Sequence, residues 1–177
     1  YVVQGGVDVA QELLSLPFNH IYYTGGNAVG KIVMKAAADH FASITLEMGG
    51  KSPVIIDETA NLENAATKLA WGRVMNDGQV CIGPEYVIIH ESKKDQFLTL
   101  IDEKINALYN SEGNGLDKSQ YVPRIINERH AKRIKALVED ATGKGATVVC
   151  GGGSNIEDRY IEPTVLTDMS EDMEIMK

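Results

Sequence analysis

The feature that most constrains the fold of this chain is a regular alternation between β-rich runs and segments with helical spacing. Residues 20–23, 43–48 and 52–56 are rich in strand-forming side chains, and turn residues follow each run. Amphipathic segments follow the first and third of these runs, and the same rhythm continues to about residue 166. The order predicts an α/β fold with a mainly parallel sheet, because parallel strands need long, usually helical, crossovers.

The helical segments carry boundary signals and apolar faces. Asn61 and Asn127 are predicted N-caps, and Ser92 with Asp95 predicts a capping box. The helix predicted from about residue 28 to residue 40 has one apolar face that should point inward. Its members are Val29, Ile32, Val33 and Ala36. The apolar residues 1–3 predict a further short strand.

Composition and charge exclude several classes of protein. The chain has 177 residues, 44% hydrophobic and 24% charged, as expected of a globular protein. Its formal net charge of −8 argues against nucleic-acid binding and against an anionic membrane surface. No apolar run approaches the ~20 residues of a membrane span. The two cysteines are far apart in sequence and form no disulfide framework, so a reducing compartment, the cytoplasm, is expected.

A glycine turn leads from the first β-rich run into the next helix, in Thr24-Gly25-Gly26-Asn27-Ala28-Val29-Gly30. Free backbone amides at a helix start attract phosphate, and glycine removes the Cβ that would keep it away. The Gly-x-x-x-x-Gly spacing matches neither the common dinucleotide fingerprint nor a P-loop. On these residues alone, a plain strand-to-helix turn is at least as good an interpretation as a phosphate site.

Cys81 lies in a turn-forming stretch, Asn76-Asp77-Gly78-Gln79-Val80-Cys81-Ile82-Gly83-Pro84. A core cysteine usually lies in an apolar run, so this thiol is expected on a shaped loop, where nucleophiles are often placed. A nucleophilic thiol and an inert loop thiol are equally good interpretations at this point. Cys150 follows Thr147-Val148-Val149 and is predicted to be a packed core thiol.

Glu47 stands between apolar neighbours and just ahead of Gly49-Gly50. A carboxylate that is partly desolvated in a cleft can act as a general base. The alternative is a solvated glutamate at a strand edge, paired with Lys51. The four histidines are scattered without metal-ligand spacing, so no metal site is predicted.

Three segments taken together resemble the aldehyde dehydrogenase superfamily, and most closely its class 3 and fatty aldehyde dehydrogenase branch. They are Tyr23-Thr24-Gly25-Gly26-Asn27-Ala28-Val29-Gly30, Leu46-Glu47-Met48-Gly49-Gly50-Lys51-Ser52-Pro53 and Gly78-Gln79-Val80-Cys81-Ile82-Gly83-Pro84-Glu85-Tyr86. Their order and spacing fit the family, with the cysteine 34 residues after the glutamate. Ala70-Trp71-Gly72 and Arg159-Tyr160-Ile161-Glu162-Pro163-Thr164 resemble the branch.

The resemblance implies oxidation of an aldehyde to a carboxylic acid with hydride transfer to NAD or NADP. Cys81 would attack the aldehyde and pass through a hemithioacetal and a thioester, and its backbone amide would help to hold the oxyanion. Glu47 would activate the hydrolytic water. The residues expected at the cofactor are Thr24, Gly25, Gly26, Asn27, Ala28, Val29 and Gly30. Many relatives have serine in place of Gly26, so backbone contacts are expected to serve there.

The resemblance also implies a domain organisation with parallel-rich sheets and flanking helices. Residues 1–48 would form the end of a Rossmann-type NAD(P)-binding domain, and residues 49–177 a truncated α/β catalytic domain. The chain is therefore expected to be an internal fragment with little or no activity alone. The full-length protein is expected to be a homodimer that acts on a small-molecule aldehyde.

Two other functions stay open. A coenzyme-A-acylating aldehyde dehydrogenase needs no water-activating glutamate, so Glu47 in its expected place argues against it. A non-catalytic structural or binding protein with the same fold is disfavoured by the presence of both Cys81 and Glu47.

Overall fold

Strands and helices alternate along the chain in the computed structural model, which describes residues 1–177. The chain divides into two units, Tyr1–Gly50 and Lys51–Lys177. Each unit contains one parallel pair of strands, and two short antiparallel pairs lie in the second unit. The predicted α/β class is therefore confirmed, with fewer parallel strands than expected.

The first unit is a two-stranded parallel sheet with a helix packed on it. Its elements are α1 (Val7–Leu14), β1 (His20–Gly25), α2 (Asn27–Asp39) and β2 (Ser43–Met48). Gly30 of α2 lies close to the sheet, since a Cβ at this position would be 3.0 Å from Met48 Sδ and 3.6 Å from the Tyr23 ring. An alanine at this position would require the Met48 side chain to shift by a few tenths of an ångström.

The buried face of α2 differs from the predicted one. Val33 and Ala37 are buried, but Val29 and Ile32 are exposed. The prediction was wrong for these two residues because the line of small residues through Gly30 and Ala37 lets the helix approach the sheet closely. The strand predicted at residues 1–3 is also absent, because these exposed residues have no strand partner.

The second unit places two helices against a parallel pair of strands. Its elements are β3 (Ser52–Ile56), α3 (Leu62–Val74), β4 (Pro84–Ile89), α4 (Lys94–Tyr109), α5 (Glu128–Gly143), β5 (Thr147–Cys150), β6 (Ser154–Asn155), β7 (Tyr160–Ile161) and β8 (Val165–Thr167). The main core joins β3 and β7 to α3 and α4, and it includes Ile56, Ala66, Ala70, Phe97, Ile105 and Tyr160. Ala66 and Ala70 are almost fully buried and let α3 and α4 pack closely.

The helix ends follow the predicted caps at two places out of three. The Asn61 side chain accepts a hydrogen bond from the Asn64 N–H, and the Asn127 side chain accepts one from the His130 N–H. The capping box of Ser92 with Asp95 was a wrong prediction. A short 3-10 helix, Glu91–Lys93, precedes α4, and His90 Nδ1 accepts from the Ser92 N–H instead.

The antiparallel pairs arise where a glycine turn reverses the chain. β5 pairs with β8, and β6 pairs with β7. Gly151 has a φ of 76°, and a Cβ there would be 2.1 Å from the Pro163 carbonyl oxygen. Only glycine fits this position. Across both units, no helix combines the length and the apolar character needed to cross a membrane.

Candidate active site

The carboxyl ends of β1 and β2 bring Glu47 beside the glycine turn. The two strands are parallel and in register, with Thr24 opposite Glu47 and Gly25 opposite Met48. Tyr23 and Leu46 lie against α2. Side chains alternate along a strand, so Thr24 and Glu47 lie on the other face, and both are exposed. The Glu47 carboxylate makes no hydrogen bond or ion pair within its unit, which leaves it available to a substrate or to water.

The start of α2 has the features that an anionic group requires. Gly26 is the N-cap and provides no side-chain cap, and the first helical bond runs from the Gly30 N–H to the Gly26 carbonyl at 3.0 Å. The N–H groups of residues 27–29, in the first turn of α2, therefore have no partner within the helix. No atom lies within 4 Å of a Cβ placed on Gly26, and the Tyr23 hydroxyl donates to the Gly26 carbonyl at 3.1 Å. These residues fit the diphosphate of a dinucleotide.

Cys81 lies on a tight turn between the end of α3 and the start of β4. The Gly83 N–H donates to the Val80 carbonyl at 3.0 Å and closes the turn around Cys81 and Ile82. Cys81 is exposed. Its backbone N–H and its Sγ make no hydrogen bond within the chain. An exposed residue thus carries both a thiol and a backbone N–H that has no acceptor.

The backbone ahead of Cys81 has an uncommon shape. Asn76, Asp77 and Gly78 have φ values of 53°, 52° and 72°, all in the left-handed region. Asparagine and aspartate tolerate this conformation better than most residues. The Asn76 side chain donates to the Gln79 carbonyl at 3.1 Å, and the Gln79 N–H donates to the Asn76 carbonyl at 3.1 Å. These bonds fix the loop just before the cysteine.

Two side chains of this loop were missed by the sequence analysis, which treated the segment only as a turn. Asp77 has one carboxylate oxygen that is buried without a partner. Burial raises the pKa of Asp77 to about 6, and the charges of Arg124 and Arg73 oppose the rise. Gln79 bonds to a segment more than 40 residues away. The only sign of these two residues in the sequence was that polar side chains stand on both sides of Gly78.

Cys150 and Lys51 differ from the candidate catalytic groups. Cys150 packs against the main core of the second unit, as predicted, and burial raises the pKa of its thiol to about 11. Lys51 donates to the Ile175 carbonyl at 2.6 Å and lies 3.5 Å from Glu85. Histidine, cysteine, aspartate and glutamate side chains form no cluster able to hold a metal ion.

Comparisons with known proteins agree in one family. The model described as "Aldehyde dehydrogenase family" matches residues 1–177. Aldehyde dehydrogenase family 3 member A2 of Rattus norvegicus is 44% identical over 176 residues, which are 99% of this chain and 35% of that protein. The chain thus spans about a third of the length of the curated relatives that it matches.

Solved structures give the same result. The structure "Substrate bound state of Staphylococcus Aureus AldH" is 39% identical, with a TM-score of 0.88 over 99% of this chain and 37% of that chain. The structure of a Mycobacterium tuberculosis aldehyde dehydrogenase complexed with NAD+ is 30% identical, with a TM-score of 0.84 over 98% of this chain and 36% of that chain. The resemblance seen in the sequence, including that to class 3, is confirmed. The chain belongs to the aldehyde dehydrogenase family.

Proposed function

We propose that this chain is the catalytic segment of an enzyme that oxidises an aldehyde to a carboxylic acid with NAD or NADP as the hydride acceptor. The observation that carries the proposal is the register of β1 with β2, which sets Glu47 opposite Thr24. A free carboxylate and an anion-binding helix start therefore share one sheet edge. Family membership and the NAD+ complex of the Mycobacterium relative support the same reaction.

Residues 24–30 would hold the cofactor. The free N–H groups at the start of α2 would bind its diphosphate, and the open space beside Gly26 lets that group approach the backbone. When bound, the nicotinamide supplies the acceptor for the hydride. In this proposal residues 1–48 are the end of the cofactor domain and residues 49–177 belong to the catalytic domain.

Cys81 would be the nucleophile. Its thiolate adds to the carbonyl carbon of the aldehyde, and the carbonyl electron pair moves onto the oxygen. The Cys81 backbone N–H, which has no acceptor within the chain, would donate to this oxyanion. When the oxyanion re-forms the carbonyl, the C–H bond of the hemithioacetal breaks, its electron pair would leave as a hydride to the acceptor held by residues 24–30, and a thioester remains on Sγ.

Glu47 would be the general base of hydrolysis. Its carboxylate takes a proton from a water molecule while the water oxygen adds to the thioester carbon. The carbon–sulfur bond then breaks, the acid leaves, and the Cys81 thiolate is regenerated. One aldehyde, one water and one oxidised cofactor thus give one acid, one reduced cofactor and a proton.

The assembly and location of the enzyme are part of the same proposal. We propose a homodimer of the complete polypeptide, because the proteins named "Aldehyde dehydrogenase, dimeric NADP-preferring" of Canis lupus familiaris and Rattus norvegicus are 39% and 40% identical over 99% of this chain. We propose the cytoplasm as its compartment, because Cys81 and Cys150 are both free thiols.

Two substitutions in the complete polypeptide that contains this chain test the mechanism. Cys81→Ser should lower kcat by roughly a thousandfold or more, because a hydroxyl is a much weaker nucleophile. Glu47→Gln should lower kcat by roughly a hundredfold or more and leave a rapid first turnover, because only deacylation is slowed. Reduced-nicotinamide absorbance, followed in the burst phase and at steady state, measures both effects.

The matched controls are Cys150→Ser and Glu12→Gln, which should leave kcat within about twofold. A Glu47→Gln variant with unchanged turnover and an acyl-thioester product in the presence of coenzyme A would favour the acylating alternative. An enzyme that gives no reduced cofactor with any aldehyde, and whose Cys81 resists alkylation, would favour a non-catalytic protein.

A further inference from the structure

The side chain of Gln79 forms hydrogen bonds that link the loop around Cys81 to a distant part of the second unit. We call residues 75–83 the Cys81 loop. Its Nε2 donates to the Asn76 carbonyl at 3.1 Å and to the Arg124 carbonyl at 3.3 Å. Its Oε1 accepts from the Ile126 N–H at 2.9 Å. We call this set of three bonds the Gln79 brace. The brace uses both amide protons and one oxygen lone pair, nearly the full capacity of a glutamine side chain.

The far end of the brace is firmly held. The Arg124 guanidinium bonds to Asp158 at 2.8 and 2.9 Å and lies 5.1 Å from the centre of the Tyr160 ring. Ile125 is almost fully buried, and its N–H donates to the Arg159 carbonyl at 3.0 Å. Hydrogen bonds from Gln79 to residues 124–126 therefore connect the loop to a well-held part of the second unit.

The near end of the brace has little other support. Among the side chains of residues 75–83, only Gln79 forms hydrogen bonds to residues outside the loop. The turn around Cys81 is closed by one backbone bond, from Gly83 to Val80, and Cys81 and Ile82 are exposed. Asn76 and Asp77, which precede the turn, also have left-handed backbone conformations. This conformation costs free energy in residues other than glycine.

We propose that Gln79 is the positioning residue for Cys81, which fixes the direction of the thiol and of the Cys81 N–H through the brace. The inference rests on the proposed role of Cys81 as the nucleophile. Nucleophilic addition needs the sulfur within a narrow range of distance and angle from the carbonyl carbon, and an error of about 1 Å can cost roughly a hundredfold in rate. Gln79 itself would touch neither the aldehyde nor the cofactor.

A nitroxide label on Cys81 of the 177-residue chain tests the brace without any activity measurement. Cys150→Ala removes the other thiol, and the label is read by its electron-spin-resonance line shape. Gln79→Met keeps the side-chain length and removes all three bonds. We expect the label to tumble about twofold faster and the Ile126 amide to exchange hydrogen roughly tenfold faster. Gln120→Met, at an exposed glutamine of the same unit, is the matched control and should change neither.

The conservative variant Gln79→Glu separates the two ends of the brace. It keeps an acceptor for the Ile126 N–H and loses the donors to two carbonyls. We expect the Ile126 amide to stay protected to within about threefold and the label to remain more mobile than in the parent.

Three outcomes would overturn the inference. One is a label in Gln79→Met as immobile as in the parent. Another is loss of amide protection throughout residues 51–177, which would make Gln79 a stabiliser of the whole unit. The third is an equal change in the Gln120→Met control. A Cys81 that proves unnecessary for aldehyde oxidation would remove the proposed function while leaving the measured brace intact, so the two failures are distinguishable.

Discussion

Asp77, in the Cys81 loop, combines an unfavourable backbone conformation with an unfavourable environment for its carboxylate. It has a left-handed backbone, and one oxygen of its carboxylate is buried without a partner. Two arginines oppose the effect of burial, yet its pKa still rises to about 6. A buried carboxylate without hydrogen bonds is normally destabilising, so this residue is a clear target for a test of stability.

Asp77→Asn should stabilise the chain at neutral pH. The pKa of Asp77 is raised in the folded state from 3.8 to about 6, so folding favours the protonated form. The stability contributed by this group is fully present below about pH 4 and is lost as pH rises through about 6. The full shift would correspond to about 3 kcal/mol, and partial exposure reduces the expected gain to about 1–2 kcal/mol at pH 7.

Urea unfolding of the parent and of Asp77→Asn at several pH values measures this gain. The difference should shrink as pH falls through about 6 and vanish only well below pH 3.8, where Asp77 is neutral in both the folded and the unfolded state. The exposed Asp8 gives the control Asp8→Asn. A variant less stable than the parent at neutral pH would show that the attraction to Arg124 and Arg73 outweighs burial.

At the scale of the elements, glycines determine where strands can turn and how closely they can pack. Gly151 is needed both for its positive φ and for its closeness to the Pro163 carbonyl. Gly143 at the end of α5 is a contrast, because no atom lies within 4 Å of a Cβ placed there and its φ is not positive. The same residue type thus has opposite roles in neighbouring segments.

Gly151→Ala should destabilise the chain by about 2–4 kcal/mol, since the added Cβ meets a backbone carbonyl that cannot move freely. Gly143→Ala should instead stabilise it by up to about 1 kcal/mol, because alanine favours the helix. Thermal unfolding of both variants tests the pair. Equal effects of the two substitutions on stability would contradict the conclusion that the turn after β5 requires glycine at residue 151.

At the scale of the whole molecule, the chain covers about a third of its curated relatives. The parallel pair of β3 with β4 also has an uncovered apolar side, where Ile55 lies opposite Ile88 and both are exposed. Parallel sheets are normally covered on both faces. On the proposed function, we therefore expect the catalytic centre to need more of the protein around these strands.

The isolated 177-residue chain should therefore show little or no turnover with an aldehyde and NAD or NADP. A steady-state assay of reduced-cofactor formation measures it, with the complete polypeptide as the positive control. Robust turnover by the isolated chain would contradict this prediction.

Much of the fold was predictable because its signals are local. The strand-forming runs from residue 20 onward, the caps Asn61 and Asn127 and the turn at residues 76–79 depend on neighbours within a few residues, and the structure confirms them. The strand predicted at residues 1–3 was wrong. The motifs around Glu47 and Cys81 identified the family, because order and spacing are properties of the chain itself. Their catalytic roles stay predictions.

The tertiary structure alone decided which distant residues meet. The register that sets Glu47 opposite Thr24 and the bonds from Gln79 to residues 124 and 126 join parts of the chain that no local pattern links. The exposure of Val29 and Ile32 also could not be read from local sequence. Which face of α2 is buried depends on how closely each side of the helix can approach the sheet. Local sequence determines the elements, whereas contacts between distant residues depend on how those elements pack.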